Sequence, residues 1–421
     1  MKILIRHARI LHKGHAHHNL RRDILIEDGI ISDVAVKIDG KADHIFQSPH
    51  LHCSPGWLDI GTHLGEPGYE HRETTETLCR AALAGGYTSL APFPSTDPII
   101  QTAADIGYIK KLFNDQCVKV FPIGALSRNL EGREVTEMRD MIRQGAVAFS
   151  DGLRGIHHAG LLLRALEYLY DRPEPIIHFP MDERLFLQGQ VHEGKVSVEM
   201  GLNGIPGIAE STLVKRDIDL AEYTGKNLIL HAISLSETVR NIQNARKAGI
   251  RIHGTVSYMN LILDDLQVKN FDPNYKVLPP LRDNNNNQLL KKALFSGGIE
   301  AIVSNHVPLE EERKKLEFPY ADFGCTGLET CFAALNSSLK PQFLETVVHS
   351  LSIGPRNLLH IPIPAIEVGQ KAEITLFDPD IQWTFHKSNS LSSNNPFIRR
   401  AFTGKVVGTV IGKENNVTPL S

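Results

Sequence analysis

Residues 59–68 read DIGTHLGEPG. They begin within CSPGWLDI at 53–60, which reads as a buried parallel strand. Many hydrolases carry a His-x-His metal motif where such a strand ends. This chain has one histidine there, His63, with Gly61 two residues before it.

The texture around that stretch repeats along the chain. Apolar runs of four to seven residues alternate with stretches of helical period. Eight runs read as strands: GWLDIGTH, TSLAPFP, CVKVFPIGA, GAVAFSD, PIIHFP, NLILHAIS, IRIHGTVS and EAIVSNH. Helical stretches such as ETTETLCRAALAGG, TEMRDMIRQG, GLLLRALEYLYD, SETVRNIQNARKAG and QLLKKALFSG separate them, several ending in the glycine that suits a helix C-cap. Eight such units predict an α/β fold built on a closed (β/α)8 TIM barrel over residues 53–364. Both chain ends read differently, as short strands with turn breaks. KILIRHARIL and DILIEDGIISDVAV begin the chain; AEITLFD, IQWTF and KVVGTVIG return after residue 365. Residues 1–52 and 365–421 are therefore expected to form one small β-sandwich module from segments distant in sequence.

Composition bounds what the chain can do. It has 421 residues, 45 basic against 48 acidic side chains, and a net charge of −3, so the charge makes no electrostatic case for binding nucleic acid or an anionic membrane. Five cysteines, Cys53, Cys79, Cys117, Cys325 and Cys331, form no CxxC pair, the pattern of a reduced compartment. Without a signal-peptide h-region or a long apolar run, a cytoplasmic location is expected. HAHH at 15–18 reads as a surface turn, DNNNN at 283–287 as a solvated turn before a helix, and LEEERKK at 309–315 as a charged surface segment.

In a barrel of this kind, chemistry sits where the strands end. Those ends carry Asp59, Gly61 and His63 on the first strand, Ser95 on the second, Asp151 on the fourth, His178 on the fifth, His231 on the sixth, and Asn305 with His306 on the eighth. Imidazole and carboxylate are the ligands zinc takes, and a catalytic zinc has three protein ligands with an open water position. Hydrogen-bonded histidines plugging a barrel mouth are the competing reading.

At this point the chain resembles the amidohydrolase superfamily, and within it the dihydroorotases of the long (type I) class. PGWLDIGTHLGEPGYEHRETTETLCRAALAGGYTS is similar to the first-strand signature and following helix. GAVAFSD, GLNGIPGIAE, DLAEYTGKNLILHAIS, KVLPPLR, AIVSNHVP and FGCTGLET resemble later blocks in the same order. The resemblance implies a two-metal centre, an arginine and an asparagine that hold a substrate carboxylate, and an eighth-strand aspartate that is metal ligand and general base. This chain departs from that pattern. Asp-x-His-x-His-x-Arg is here Asp59-x-Gly61-x-His63-x-Gly65; Pro-Asn-Thr is Pro94-Ser95-Thr96; the residue before the Pro-Pro-Leu-Arg block is Leu278; Asp-His-Ala-Pro-His is Asn305-His306-Val307-Pro308-Leu309.

Asp151, His178 and His231 match metal-ligand positions and His63 is a fourth, so the expectation is one zinc at most, with the two-metal centre lost. Asn305 occupies the general-base position and cannot cycle a proton near neutral pH, a loss of about 10²–10⁴ in rate. Gly65, Ser95, Leu278 and Leu309 occupy the family's substrate positions without its charge. Restoring Gly61→His, Gly65→Arg and Asn305→Asp is expected to raise metal content. Two readings follow. In one, the chain is a non-catalytic homologue acting in pyrimidine biosynthesis as a structural partner of aspartate transcarbamoylase, with homo-oligomers allowed and neither nucleic acid nor membrane bound. In the other, it is an active hydrolase of a cyclic amide, dihydroorotate or related, with a one-metal site and with His306 or Asp59 as replacement proton shuttle.

Overall fold

The computed structural model describes residues 1–412 and the short strand Val417–Pro419. Its centre is a (β/α)8 barrel whose strands are, in order, Trp57–Ile60, Tyr87–Ala91, a split third strand Lys119–Val120 and Ile123–Ala125, Ala148–Ser150, Ile176–His178, Leu228–Leu230, Ile252–Ser257 and Ala301–Val303. All the pairings between neighbours are parallel. The third strand splits at Phe121-Pro122. Its first half pairs with the second strand and its second half with the fourth, because Pro122 cannot donate to either neighbour.

Alternation along each strand builds two shells. Leu58 and Ile60 point inward with Ala91, Ile123, Ala148, Ile177, Ile229 and Val303. Trp57, Leu90, Phe149, Leu228 and Val256 point outward against the helices. The first connecting helix, Thr75–Ala84, starts where Thr74 accepts from the Thr77 amide and the Thr77 hydroxyl answers at the Thr74 amide.

First and eighth strands meet without a regular ladder, and Asp59 closes the seam. Its wholly buried carboxylate accepts from the Ser304 amide at 2.7 Å and the Ser304 hydroxyl at 2.7 Å, and from Thr62 at 2.5 Å. The His63 amide then donates to the His306 carbonyl at 3.0 Å.

Strands from both ends of the chain form one mixed eight-stranded sheet. Lys2–Ile10, Arg21–Glu27, Ile30–Ala35 and His44–Phe46 join Glu373–Thr384, Ala401–Ile411 and Val417–Pro419 through the strand His52–Pro55. Its apolar face is a third core of Ile3, Ile5, Ile24, Ile26, Ile374 and Val410. Glu373 fastens this sheet to the barrel. The carboxylate lies buried against Arg356 and Lys119 and accepts from Thr88 at 2.9 Å and Ser89 at 3.0 Å. Among the described residues no helix is long and apolar enough to cross a membrane.

Two segments differ from their sequence reading. DNNNN is not a turn. Asp283 caps the amide of Asn286, the helix Asn284–Phe295 starts at once, and buried Asn287 donates to the carbonyls of Asn260 and Leu263. LEEERKK is only partly surface. Lys314 is buried, its ammonium bonded to the carbonyls of Asp322 and Gly324. In both cases a polar side chain is drawn inward by backbone acceptors that the sequence does not reveal.

Breaking a buried pair leaves an uncompensated charge, so Glu373→Ala is expected to destabilise the protein by about 3–5 kcal/mol in denaturant unfolding. A loss below about 1 kcal/mol, the range of a surface pair, would show that Glu373 is not the joint.

Candidate functional site

The expected site residues converge on the C-terminal mouth of the barrel, but their polar atoms are largely engaged by the protein itself. Asp151, at the end of the fourth strand, turns both carboxylate oxygens toward the third. Oδ1 accepts from the amides of Leu126 at 3.1 Å and Ser127 at 2.8 Å, and Oδ2 from the Ser127 hydroxyl. Burial pushes its pKa up, against those bonds. His178 uses both ring nitrogens. Nδ1 faces Asp217 Oδ2 at 2.5 Å and Nε2 accepts from the Ile156 amide at 2.9 Å. One neutral tautomer satisfies both contacts, and Arg216 completes the set by pairing with the other oxygen of Asp217.

Of the four strand-end histidines His63, His178, His231 and His306, the two with an available nitrogen among the described residues are His63 and His231. Each keeps a shielded Nε2 with no hydrogen-bond partner among the described residues. Between them stands Phe93, just past the end of the second strand. Its ring makes T-shaped contacts with both, centroids 4.9 Å from His231 and 5.9 Å from His63. Burial lowers the His231 pKa to about 3, with the nearby His63 adding to the effect. Burial likewise lowers His63 to about 4, aided by His306 and Arg72. Both rings are therefore neutral near pH 7.

Gly61 has no room for a side chain. It sits at φ +87°, and a Cβ there would stand 2.7 Å from both the His231 Cε1 atom and the Phe93 ring. A Cβ on Gly65 would overlap the carbonyl oxygen of Glu73. The Glu73 backbone, in the loop that also carries Tyr69 and Arg72, occupies the space that a longer residue at 65 would need. Glu73 is wholly buried, 3.4 Å from His306 Nε2, and accepts from the Leu391 amide and the Ser390 hydroxyl of the β module. Burial alone would raise its carboxyl, but His306 and these bonds hold it below the ordinary value. His306 Nδ1 accepts from the Gly327 amide at 3.2 Å, so this imidazole is also committed at both nitrogens.

The remaining expected positions follow the same pattern. Asn305 donates from Nδ2 to the Leu278 carbonyl at 2.9 Å from a left-handed backbone, φ +49°. Leu278 packs against the inner core, and Leu309 is buried with its amide bonded to Asn394. Ser95 lines a cavity of about 260 Å³ at the mouth with His63, Tyr69, Arg72 and Arg154. Asp59 closes the barrel seam and faces Ser304 and Thr62, which leaves it no shuttle geometry.

The donors present do not fit the two-metal centre that the resemblance implies. One position has no side chain, Asp151 and His178 point their lone pairs at backbone and hydroxyl donors, and Asn305 presents its amide nitrogen to a carbonyl. Among the described residues no group of three or more His, Cys, Asp or Glu side chains is arranged to hold a metal ion. Sequence reasoning missed Phe93, Glu73 and Asp217. An aromatic beside a strand end reads as core, and carboxylates in a loop and a helix carry no pattern linking them to a histidine more than 30 residues away.

Residues 52–238 match the family described as Dihydro-orotase-like. The chain is 36% identical over 421 residues to the dihydroorotase of Syntrophus aciditrophicus, covering 98% of each chain. It is also 36% identical over 396 residues to the dihydroorotase of Pelotomaculum thermopropionicum, covering 93% of each. Among solved structures, the L-hydantoinase (dihydropyrimidinase) from Arthrobacter aurescens superposes with a TM-score of 0.87 at 22% identity, covering 100% of this chain and 97% of that one.

The crowding at Gly61 and Gly65 revises the expectation for restored ligands. The triple variant Gly61→His, Gly65→Arg, Asn305→Asp is expected to lose about 3 kcal/mol or more, as overpacking does, and to gain no metal. Denaturant unfolding and elemental analysis check this; one metal per chain at undiminished stability would contradict it. His231 gives a pH test. Its folded pKa lies below the unfolded 6.5, so the unfolded state binds the extra proton and stability falls as pH drops below about 6.5. By pH 4.5 wild type should lose up to about 2–3 kcal/mol relative to His231→Asn. Parallel pH profiles of the two proteins would refute the buried neutral imidazole.

Proposed function

This chain belongs to the dihydroorotase-like family of the amidohydrolase superfamily, and from that premise we propose that it acts in pyrimidine biosynthesis without the family's metal-dependent hydrolysis. Its role is that of a structural partner of aspartate transcarbamoylase. The observation carrying this reading is the packing of Phe93 between His63 and His231, in the space that Gly61 leaves open. Hydrolysis of a cyclic amide needs an activated water, a proton carrier and an anchor for the substrate. Asp151, His178 and His306 hold bonds within the fold, Asn305 has no titratable proton, and Gly65 supplies no charge. What survives intact is the scaffold: barrel, β module and the Glu373 joint between them.

A second reading has its own support. Identity of 36% across almost the whole chain to two proteins named dihydroorotase favours an active cyclic-amide hydrolase. The family is metal-dependent, so on this reading zinc would have to draw Asp151 and His178 away from their present bonds.

Turnover of dihydroorotate, followed with and without added zinc beside an active relative, separates the two. The proposal expects rates lower by about 10³-fold or more, in line with loss of a proton-transfer group and its partners. It also expects a stable complex when the chain is co-expressed with the transcarbamoylase of its own organism. Zinc-dependent turnover near that of the relative would establish the second reading. A transcarbamoylase that assembles fully without the chain and never binds it would remove the scaffold role.

A further inference from the structure

Four histidines crowd into seven residues at the first turn of the β module. His12, His15, His17 and His18 lie on the loop 11–20 that joins the strands Lys2–Ile10 and Arg21–Glu27. HAHH is a turn, but not one in full solvent: the His15 side chain is 8% exposed, and the neighbouring His12 is buried. His12 and His15 stack with centroids 4.7 Å apart and 10° between planes, and His17 tilts against His15 at 5.4 Å. The contacts of His15 fix its tautomer. Nδ1 accepts from the His17 amide at 3.2 Å, which leaves Nε2 to donate to Glu367 at 2.9 Å. Asn19 donates to Glu345 at 2.7 Å, and His18 lies 3.7 Å from the same carboxylate. Glu345 stands in the first turn of the helix Leu344–Leu358, so the loop ties the module to the barrel. Leu11, Lys13 and His18 also form one wall of a cavity of about 300 Å³, facing Phe295, Ile299 and His349. Ile299 precedes the eighth strand, which puts this cavity at the end of the barrel opposite the mouth.

We propose that the histidine cluster is an acid-released clasp. At neutral pH it holds the loop 11–20 against Glu367 and the helix Leu344–Leu358; on acidification the loop lifts and opens the cavity beneath it. The geometry sets this direction. A second proton on His15 would sit on Nδ1 and break the bond from the His17 amide. A charged His15 would also lie face to face with His12, whose Nδ1 is shielded and has no partner among the described residues. Glu367 and Glu345 favour protonated rings; Arg9 beside Glu345, Arg22 beside His17 and Lys13 beside His349 disfavour them. At His12 burial decides. Together with His15 and His18 it outweighs Glu367 and holds the imidazole at about 4. Burial and His15 lower His17 as well. In an open loop His12 regains the ordinary 6.5, so the open form takes up the proton first and closure weakens as pH falls from 6.5 towards 4. For one such group the open-to-closed ratio rises about 30-fold from pH 7.5 to pH 5.

Hydrogen exchange of the full chain, read by mass spectrometry at both pH values and corrected for intrinsic rates, tests the clasp. Amides of the loop 11–20 are expected to open about 30-fold more at pH 5, and those of the helix Thr75–Ala84 much less. His12→Phe keeps a flat ring on His15 but carries no proton, so its loop should change only a few-fold. Glu367 is 54% exposed, and Glu367→Ala should open the loop about 3- to 10-fold at pH 7.5, the range for one hydrogen bond, whether or not His12→Phe folds. A loop whose exchange ignores pH, an equal rise in His12→Phe, an equal rise in the helix Thr75–Ala84, or an unchanged loop in Glu367→Ala would each overturn the proposal. The inference concerns this loop alone, so turnover of dihydroorotate or its absence bears only on the barrel mouth.

Discussion

A barrel of parallel strands must close on itself, and here the last join is made by a side chain. Asp59 reaches across the gap between the first and eighth strands and takes both the amide and the hydroxyl of Ser304. A wholly buried carboxylate is costly unless its lone pairs are met, and three short bonds meet them. With the seam held in this way, His63 and His306 leave their strands side by side at the mouth. Everything at the site is positioned from that seam.

The mouth itself reads as a rebuilt surface. A vacated ligand position usually leaves either water or a void, and a void in a packed interior is expensive. At Gly61 the space a side chain would need is taken by Phe93 and His231, and Phe93 makes T-shaped contacts with two neutral imidazoles. At Gly65 the backbone of Glu73 occupies the space a side chain would need, and Glu73 in turn binds His306 and the β-module segment at Ser390 and Leu391. These replacements are mutually dependent. Each glycine permits a contact that then forbids the larger residue, which is why restoring single ligands meets steric resistance.

The eight strands were legible because apolar runs between helical stretches carry a period that survives changes at the site. The grouping of both chain ends into one sheet was legible for a similar reason, since short alternating strands recur only there. Convergence of Asp59, His63, Asp151, His178, His231 and His306 followed from their shared place at strand ends. Their partners did not follow. Asp217 lies on a helix and Glu73 in a loop, and nothing local marks a carboxylate as the hydrogen-bond partner of a distant imidazole. Asp283 and Lys314 show the same limit, where a polar residue that reads as surface is drawn to backbone groups supplied by the fold.

By itself the sequence determined the barrel, the family pattern, and the presence of Gly61, Gly65 and Asn305 at the strand ends, because these depend on residue identity and order alone. Only the tertiary structure decided what became of the donors that remain. Whether a histidine or aspartate offers a lone pair to a ligand depends on where its second and third neighbours put their N–H groups. At Asp151 and His178 those neighbours, Ser127, Ile156 and Asp217, lie across strands and helices. The order of residues names the candidates for DIGTHLGEPG and its companions; the packing of Phe93 and Glu73 determines which groups they meet within the fold.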